Sequence, residues 1–214
     1  MVFFFNNEIL RFHLNKAGGE ELWDNLKGIY MEGLEIYPNG DTIFYETHKK
    51  EPFFIYIKRQ ISKDEINYTG ENDGYIWSIR EGKKYETPKS VGLNDAFHPG
   101  KLSWYNETFA LSQAKNNSIK MEFKDLDSCY LINLYEDFPK QYYINKNSGL
   151  IDSIKYINTY PIAKSIKIVF KNYISVKGYK FPKKRDFFQN GKLKYTEVND
   201  SINVNYGVDL SIFH

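Results

Sequence analysis

The sequence predicts an α+β protein that is mainly β, in which a curled antiparallel sheet of about 11–12 strands forms a half-barrel. We expect an N-terminal helix and a helical or loop insertion to cover the concave face. Aromatic residues make up 17% of the chain, and flat rings pack well on pleated surfaces. After Gly28, short apolar runs alternate with turn dipeptides. Because parallel strands need long crossover connections, these short turns favour antiparallel pairing, and so long a sheet has to curl.

Residues 1–26 form the predicted helical segment. Ile9 and Phe12 follow helical spacing, and the pair Gly18-Gly19 is suited to end a helix because glycine tolerates positive φ. A second, shorter turn follows and carries Trp23. We expect both helical segments to pack against the sheet as an apolar plug.

The predicted strands fall in two groups, over residues 28–88 and 117–214. Asn39-Gly40 is the strongest hairpin signal, because both residue types accept positive φ. Residues 89–115 interrupt the alternation of strand and turn, and a loop of this length in a compact domain is typical of a lid or a binding element. No flexible linker or shift in composition divides the chain, so residues 1–214 are predicted to form a single domain.

The bulk composition excludes several classes of protein. The formal net charge is only +2, so the chain lacks the excess of positive charge that attracts nucleic acid. The run Lys183-Lys184-Arg185 is interpreted as a solvated strand face. The chain contains no stretch of about 18 apolar residues, so the sequence predicts no transmembrane helix. A lone Cys129 excludes an internal disulfide and a four-cysteine metal site.

No motif in the chain predicts an enzyme. The Gly-x-Ser-x-Gly elbow of a serine hydrolase is absent. The histidines stand alone at positions 13, 48, 98 and 214, without the spacing that a zinc site on one helix requires. The Gly-rich phosphate loops are also absent. We therefore expect no catalytic residues, no metal and no cofactor.

The strand faces carry the remaining signal, since several strands place apolar residues at alternate positions. One interpretation is an ordinary filled core. The other is that part of this apolar face stays open as a ligand-binding cavity, because a curved sheet has more concave surface than two short helices can cover. The predicted cavity lining is Ile55, Ile57, Trp77, Ile79, Met121 and Phe123.

Several short motifs are informative through their order and spacing. They are Ala17-Gly18-Gly19-Glu20 followed by Trp23, Asp73-Gly74 before Trp77, residues 142–151, Phe170-Lys171-Asn172-Tyr173, Val176-Lys177-Gly178, Phe181-Pro182, and residues 202–205 with Phe213. Together they cover nearly the whole chain. In this arrangement they resemble the LolA/LolB-like group of bacterial periplasmic lipoprotein carriers and their outer-membrane lipoprotein-sorting relatives.

The resemblance implies a half-barrel that shelters the acyl chains of a lipid or an acylated lipoprotein. It also implies a non-enzymatic, monomeric protein of the periplasm or cell envelope, with no nucleic-acid partner and possible contacts to envelope proteins. The opening residues lack the basic start and cleavage site of an export signal, so either the chain is cytoplasmic or such a signal was removed. The resemblance implies the second alternative. The alternative is a protein–protein interaction module of the envelope with a filled core, which docks a partner through a sheet edge or through residues 88–115.

Overall fold

A computed structural model describes residues 2–50, 54–71, 75–88, 106–135, 139–158 and 163–207 of the protein. Three helices are present in this part of the chain: α1 (Val2–Lys16), α2 (Glu20–Asp24) and α3 (Glu107–Asn116). The strands are β1 (Gly28–Ile36), β2 (Thr42–Lys50), β3 (Phe54–Gln60), β4 (Ile66–Glu71), β5 (Tyr75–Arg80), β6 (Lys83–Pro88), β7 (Met121–Asp125), β8 (Cys129–Leu134), β9 (Lys140–Asn145), β10 (Ile151–Asn158), β11 (Lys164–Val176), β12 (Tyr179–Gln189) and β13 (Lys192–Val204).

All thirteen strands belong to one antiparallel sheet made of two meanders. The strand order is β6-β5-β4-β3-β2-β1-β13-β12-β11-β10-β9-β8-β7. Strands β1–β6 form the first meander and β7–β13 the second, and β1 pairs with β13 where the two meet. The predicted antiparallel, mainly β architecture is confirmed, with slightly more strands than expected.

The three helices pack against one face of the sheet and fill much of its concavity. Leu10 and Leu14 of α1, Trp23 of α2 and Leu111 of α3 belong to one buried apolar cluster with residues from both meanders. The Trp23 ring lies edge-on to Tyr179 on β12, with 5.1 Å between the ring centroids. Its Nε1 donates a hydrogen bond to the carbonyl of Ala17, at 3.2 Å. The predicted helical plug is therefore present.

The polar groups of the N-terminal segment fix its position on the sheet. The His13 ring lies within hydrogen-bonding distance of the Gly149 carbonyl, which is 2.8 Å from Nδ1. Burial lowers the pKa of His13 to about 4, so at neutral pH the ring is uncharged and donates through Nδ1–H. The backbone amide of Lys180 donates to the carbonyl of Ala17 at 2.9 Å. These bonds tie the end of α1 to the second meander.

The start of the first helix differs from the sequence-based expectation. Helix α1 starts at Val2, ahead of the helical spacing that begins near Ile9, because an asparagine inside a helix costs only about 0.7 kcal/mol and does not stop it. Helix α3 supplies the helical part of the predicted lid, and the Asn106 side chain caps it by accepting from the amides of Thr108 and Phe109. The rest of that lid (89–105), the Asp73-Gly74 turn and Phe213 lie outside the described residues.

Close backbone packing at Gly33 joins the two meanders. The register between β1 and β13 shifts at Glu32/Gly33. A Cβ at position 33 would lie 1.9 Å from the Val198 carbonyl oxygen and 3.1 Å from the Asn199 Cα. Because both are backbone atoms of a central strand, they have little freedom to move aside.

We therefore expect Gly33→Ala to lower the free energy of unfolding by about 1–3 kcal/mol, the range typical of overpacked sites. Urea unfolding followed by circular dichroism would measure it. Gly207→Ala is the matched control, since a Cβ there meets nothing within 4 Å. Equal stabilities of the two variants would contradict the importance of this contact.

Candidate functional site

A cavity of about 190 Å³ lies on the inward face of the sheet. Strands from both meanders line it, and Glu107 of α3 closes it from the helical side. The lining residues are Met31, Tyr45, Thr47, Lys49, Ile57, Arg59, Glu107, Lys140, Ile154, Tyr156, Ile168, Arg185, Phe187, Tyr195 and Glu197.

The lining shows how strongly the sheet is curled. Ile57 lies on β3 and Lys140 on β9, and six strands separate β3 from β9 in the sheet order. In a flat sheet, strands that far apart would be separated by roughly 33 Å. Both residues nevertheless line the same small cavity. The two arms of the sheet therefore face each other across it.

One side of the cavity is an apolar row that runs across four strands. Ile154 on β10 pairs with Ile168 on β11, which pairs with Phe187 on β12, and Phe187 pairs with Tyr195 on β13. Directly opposed residues share one face of a sheet. The Phe187 and Tyr195 rings are stacked, with 4.6 Å between their centroids. This row gives an elongated apolar surface beside the open space.

A charged row follows two residues further along the same strands. Arg185 on β12 pairs with Glu197 on β13, which pairs with Glu35 on β1. Two residues along a strand span about 7 Å, so the charged row lies immediately beside the apolar one. The cavity is therefore amphipathic.

Arg185 and Glu197 form the centre of a hydrogen-bonded network. The Arg185 guanidinium donates to the Glu197 carboxylate, and its Nη1 lies 3.9 Å from the Glu107 carboxylate on α3. The Tyr45 hydroxyl lies 3.0 Å from Glu197 and 2.6 Å from the Asn199 side-chain oxygen. Burial raises the pKa of Tyr45, with a further contribution from the negative charge of Glu197. The phenol is thus protonated and donates.

A second ion pair involves Arg59 and Glu35. The Arg59 Nε donates to Glu35 at 2.8 Å, and the Tyr37 hydroxyl donates to the other oxygen of that carboxylate at 3.0 Å. Glu35 is almost fully buried, whereas about a third of the Arg59 side chain is exposed. This pair links β3 to β1 at the rim of the cavity.

Two lysines complete the cationic groups of the lining. Lys140 on β9 is fully buried, and Lys49 on β2 is half-buried. Burial, together with repulsion by Arg185, lowers the pKa of Lys49 to about 8 against the raising effect of Glu107 and Glu197. Lys49 and Arg185 are therefore close enough for their charges to repel each other.

The arrangement is suited to binding an amphiphile. Among the described residues no group of three or more His, Cys, Asp or Glu side chains could hold a metal ion. Four cationic side chains and two carboxylates line the cavity beside five aliphatic or phenylalanine side chains. An apolar chain can lie along the apolar row while a polar group meets the charged one.

The structure places four of the six predicted lining residues on the inward face. Ile57 lines the cavity, and Ile55, two residues earlier on the same strand, is buried on the same face. Met121 and Phe123 on β7 pack against the apolar cluster further along the sheet. That these four bind a ligand stays a prediction.

Trp77 and Ile79 lie on the opposite face of the sheet. Ile57 pairs with Thr69, which pairs with Ser78, so Trp77 next to Ser78 points the other way. The Trp77 ring packs over Gly70 instead, where an added Cβ would lie 2.2 Å from it. The six residues therefore do not line one cavity. The sequence reveals alternation within a strand, but a one-residue difference in phase between strands moves a side chain to the other face.

The outward face carries an aromatic cluster around His48. The His48 Nδ1 lies 2.7 Å from the Tyr206 hydroxyl and Nε2 lies 2.7 Å from the Glu46 carboxylate. Tyr30 and Tyr56 pack edge-on against the His48 ring. His48 is thus engaged on this face and does not reach the cavity. His98 and His214 lie outside the described residues.

Sequence reasoning missed the charged groups of the cavity. The run Lys183-Lys184-Arg185 does not form a uniformly solvated face, because only 12% of the Arg185 side chain is exposed. One available signal was the alternation of side chains along a strand. Arg59 is two residues from Ile57 on β3, and Lys49 on β2 pairs with Ile55, so both cations lie on the face of the two isoleucines. Glu197 lies across the β12–β13 hairpin from Arg185. Glu107 comes from a distant part of the chain, so no local pattern could identify it.

Comparison with solved structures shows the same fold in three proteins. A protein named as an outer membrane lipoprotein-sorting domain from Vibrio parahaemolyticus is 12% identical, with a TM-score of 0.56 and coverage of 94% of this chain and 95% of that chain. A LolA superfamily protein from Nitrosomonas europaea is 10% identical, with a TM-score of 0.60 and coverage of 94% and 96%. A DUF1329 family protein from Desulfovibrio piger is 11% identical, with a TM-score of 0.60 and coverage of 94% and 95%.

These similarities show that the chain has a LolA-like fold, as the sequence motifs predicted. No protein-family model matches the sequence, and no curated protein matches it. None of the helices in the described part of the chain is long and apolar enough to cross a membrane.

The buried ion pair yields a stability prediction. Arg185→Met leaves the carboxylates of Glu107 and Glu197 without their cation. We therefore expect it to lower the free energy of unfolding by about 3–5 kcal/mol. Adding Glu197→Gln removes one of those charges and should restore about 1–3 kcal/mol. Urea unfolding of the two single variants and the double variant measures the coupling.

The effect of Arg185→Met on stability is compared with that of Lys171→Met, which removes a more exposed cation. Its ammonium lies 2.6 Å from the Asp186 carboxylate, but about half of the Lys171 side chain is exposed. A partly exposed pair contributes at most about 1 kcal/mol. If Arg185→Met cost no more than Lys171→Met, the network would not be the buried unit described.

Proposed function

We propose that this protein is a non-enzymatic carrier of the bacterial cell envelope that binds an acyl chain of a lipid or of an acylated lipoprotein in the cavity between the two arms of its sheet. The observation that carries the proposal is the apolar row Ile154–Ile168–Phe187–Tyr195 beside that open space. A row of this kind offers an extended alkyl chain continuous apolar contact.

The size of the cavity sets a limit on the cargo. Its volume of about 190 Å³ equals that of about six water molecules in the liquid, and a methylene group is of similar size. Burying six methylenes contributes about 5 kcal/mol before the costs of ordering the chain. The cavity as it stands suits part of one chain, and a longer or second chain requires α3 to move.

The fold similarity supports the same function, since one of the solved structures is named for outer membrane lipoprotein sorting. A location in the periplasm or at an envelope membrane follows from this proposal. So does a monomeric state, because a carrier must expose the mouth of its cavity to each membrane or partner in turn.

A second candidate function is a protein–protein interaction module of the envelope. It is favoured by the helices, which already fill most of the concave face with an apolar cluster. Strand β6 lies at one end of the sheet. Within the described residues its outer edge pairs with no strand, so a partner could add a strand there. Lys84 and Glu86 on this edge are about half exposed, and such charges oppose indiscriminate edge pairing. A selective partner would have to match them.

A pair of isoleucine substitutions tests the carrier function. Ile57→Glu replaces an apolar lining side chain by a carboxylate, and we expect it to weaken binding of a fluorescent fatty-acid probe at least about tenfold, because it removes apolar contact and repels the carboxylate of the probe. Fluorescence titration measures the dissociation constant. Ile79→Glu is the matched control, since Ile79 lies on the opposite face.

Circular dichroism establishes that each variant is folded. Ile57→Trp is the second variant, which fills the cavity without adding charge and should also abolish binding. Equal affinities of wild type, Ile57→Trp and Ile79→Glu would exclude this cavity as the site. If the folded wild-type chain took up no apolar probe, the interaction module would replace the carrier.

A further inference from the structure

We propose that the protein docks on a membrane containing anionic phospholipids, through the ends of strands β10–β13 that lie away from helices α1 and α2. We call this the basic strand-end surface, and it consists of Lys155, Ile157, Lys167, Lys192, Leu193 and Lys194. The inference goes beyond the carrier function and does not depend on which cargo the cavity takes.

Exposed large apolar side chains gather at this end of the sheet. The opposite end of these strands meets helix α2, where the Tyr179 hydroxyl donates to the Leu22 carbonyl at 2.8 Å. Among the described residues seven large apolar side chains are exposed, and Ile157 is the most exposed, at 60%. Four of the seven lie at the free ends of neighbouring strands: Ile36, Ile61, Ile157 and Leu193. Apolar side chains concentrated on an exposed surface indicate contact with a partner or a membrane.

The same strand ends are basic. Residues 153–158, 164–169 and 187–196 contain five lysines and no acidic residue. Four of these lysines are exposed: Lys155, Lys167, Lys192 and Lys194. Within the described part of the chain none of the four forms an ion pair. The Lys155 ammonium lies over the Tyr143 ring, 4.7 Å from its centroid, and this contact leaves its charge in place. Since the whole chain has a net charge of only +2, the positive charge is local.

Two of the lysines face each other directly. Lys155 on β10 pairs with Lys167 on β11, and like charges in directly opposed positions destabilise an antiparallel pair. The same row continues through Phe188 on β12 to Leu193 on β13. Two cations and two apolar side chains therefore share the outward face, and an anionic surface against it would relieve the repulsion.

The carboxylates of the same strands bind other groups. Strands β10–β12 contain two acidic residues, Asp152 and Asp186. Asp186 accepts from Lys171 at 2.6 Å and from the Thr196 hydroxyl at 2.8 Å. Asp152 accepts from the Asn145 amide at 3.0 Å. Neither carboxylate forms an ion pair with the lysines of the basic strand-end surface.

The spacing of apolar and basic side chains fits a lipid bilayer. Ile157 lies two residues beyond Lys155 on β10, a distance of about 7 Å. Apolar groups that bind at a membrane interface enter it by about 5–10 Å, whereas lysine ammonium groups stay in water among the head groups. With this end of the sheet against the bilayer, Ile157 reaches the boundary of the acyl chains and Lys155 stays level with the phosphates.

The cavity lies directly behind the basic strand-end surface. Tyr156 lines the cavity and is followed on β10 by Ile157. Tyr195 ends the apolar row and lies two residues after Leu193 on β13. Docking through these strand ends therefore brings the cavity next to the lipid.

Sedimentation of the full chain with lipid vesicles tests the proposal. The vesicles are phosphatidylcholine alone and equal parts of phosphatidylcholine and phosphatidylglycerol. We expect the chain to bind the anionic vesicles at least about tenfold more tightly, because each lysine near an anionic membrane contributes about fivefold in affinity. The difference should vanish in about 1 M sodium chloride, where the screening length is about 3 Å.

A pair of double variants tests the position of the charges. Lys155→Gln with Lys167→Gln should weaken binding to the anionic vesicles about thirtyfold. Lys124→Gln with Lys183→Gln is the matched control, since it removes the same charge from exposed lysines outside the basic strand-end surface. We expect the control to bind nearly as tightly as the wild type.

Ile157→Ser tests the apolar contact and should weaken binding to the anionic vesicles about tenfold. Leu126→Ser is its control, because Leu126 is also exposed but follows β7 at the other end of the sheet. All these variants change exposed side chains, and circular dichroism verifies their fold. Their affinity for the fluorescent fatty-acid probe should stay unchanged, because none of the altered residues lines the cavity.

The outcomes separate membrane docking from the carrier function. Equal binding to both kinds of vesicle would overturn the anionic membrane as the partner. Equal loss in the two double variants would overturn the basic strand-end surface, by showing attraction through net charge alone. Absence of binding to either vesicle would also overturn the proposal, and an acidic protein surface would replace the membrane. In each case the uptake of the fatty-acid probe decides the carrier function independently.

Discussion

The pairing of β1 with β13 holds the whole structure together. These strands stand at opposite ends of the sheet-forming part of the chain, and their ladder is where one meander joins the other in the strand order. Forming it closes a loop of about 160 residues, and later contacts have to recover the entropic cost of that closure. Gly33 allows the backbones to approach, and Asn199 fixes the irregular register by donating to the Pro182 carbonyl on β12 at 2.9 Å.

The candidate site depends on this same junction. Glu35 lies on β1 and Glu197 on β13, directly opposite each other in the ladder. Two facing carboxylates would repel, and the structure relieves this by giving each its own arginine, Arg59 from the first meander and Arg185 from the second. The charged row therefore both requires the junction and stabilises it. Since apolar residues of similar volume often make a buried position at least as stable as an ion pair does, stability alone does not explain why charges occupy this row.

The sequence predicted the fold better than the site. Turn signals such as Asn39-Gly40 and the alternating strands are local, so the meanders, the helical plug with Trp23 and the LolA-like architecture could be inferred from the chain itself. Pairing sets which side chains of a strand point inward, and it places Ile57 on the cavity side of the sheet and Trp77 on the opposite side. The Arg185–Glu197–Glu107 cluster joins residues from β12, β13 and α3. Arg185 and Glu197 face each other across one hairpin, but only the folded protein brings Glu107 to them.

Native mass spectrometry of the purified chain, followed by solvent extraction of whatever remains bound, tests the central claim most directly. The account predicts a stoichiometric adduct whose extracted component has an acyl chain. A mass equal to that of the bare chain, unchanged after incubation with fatty acids and phospholipids, would contradict it.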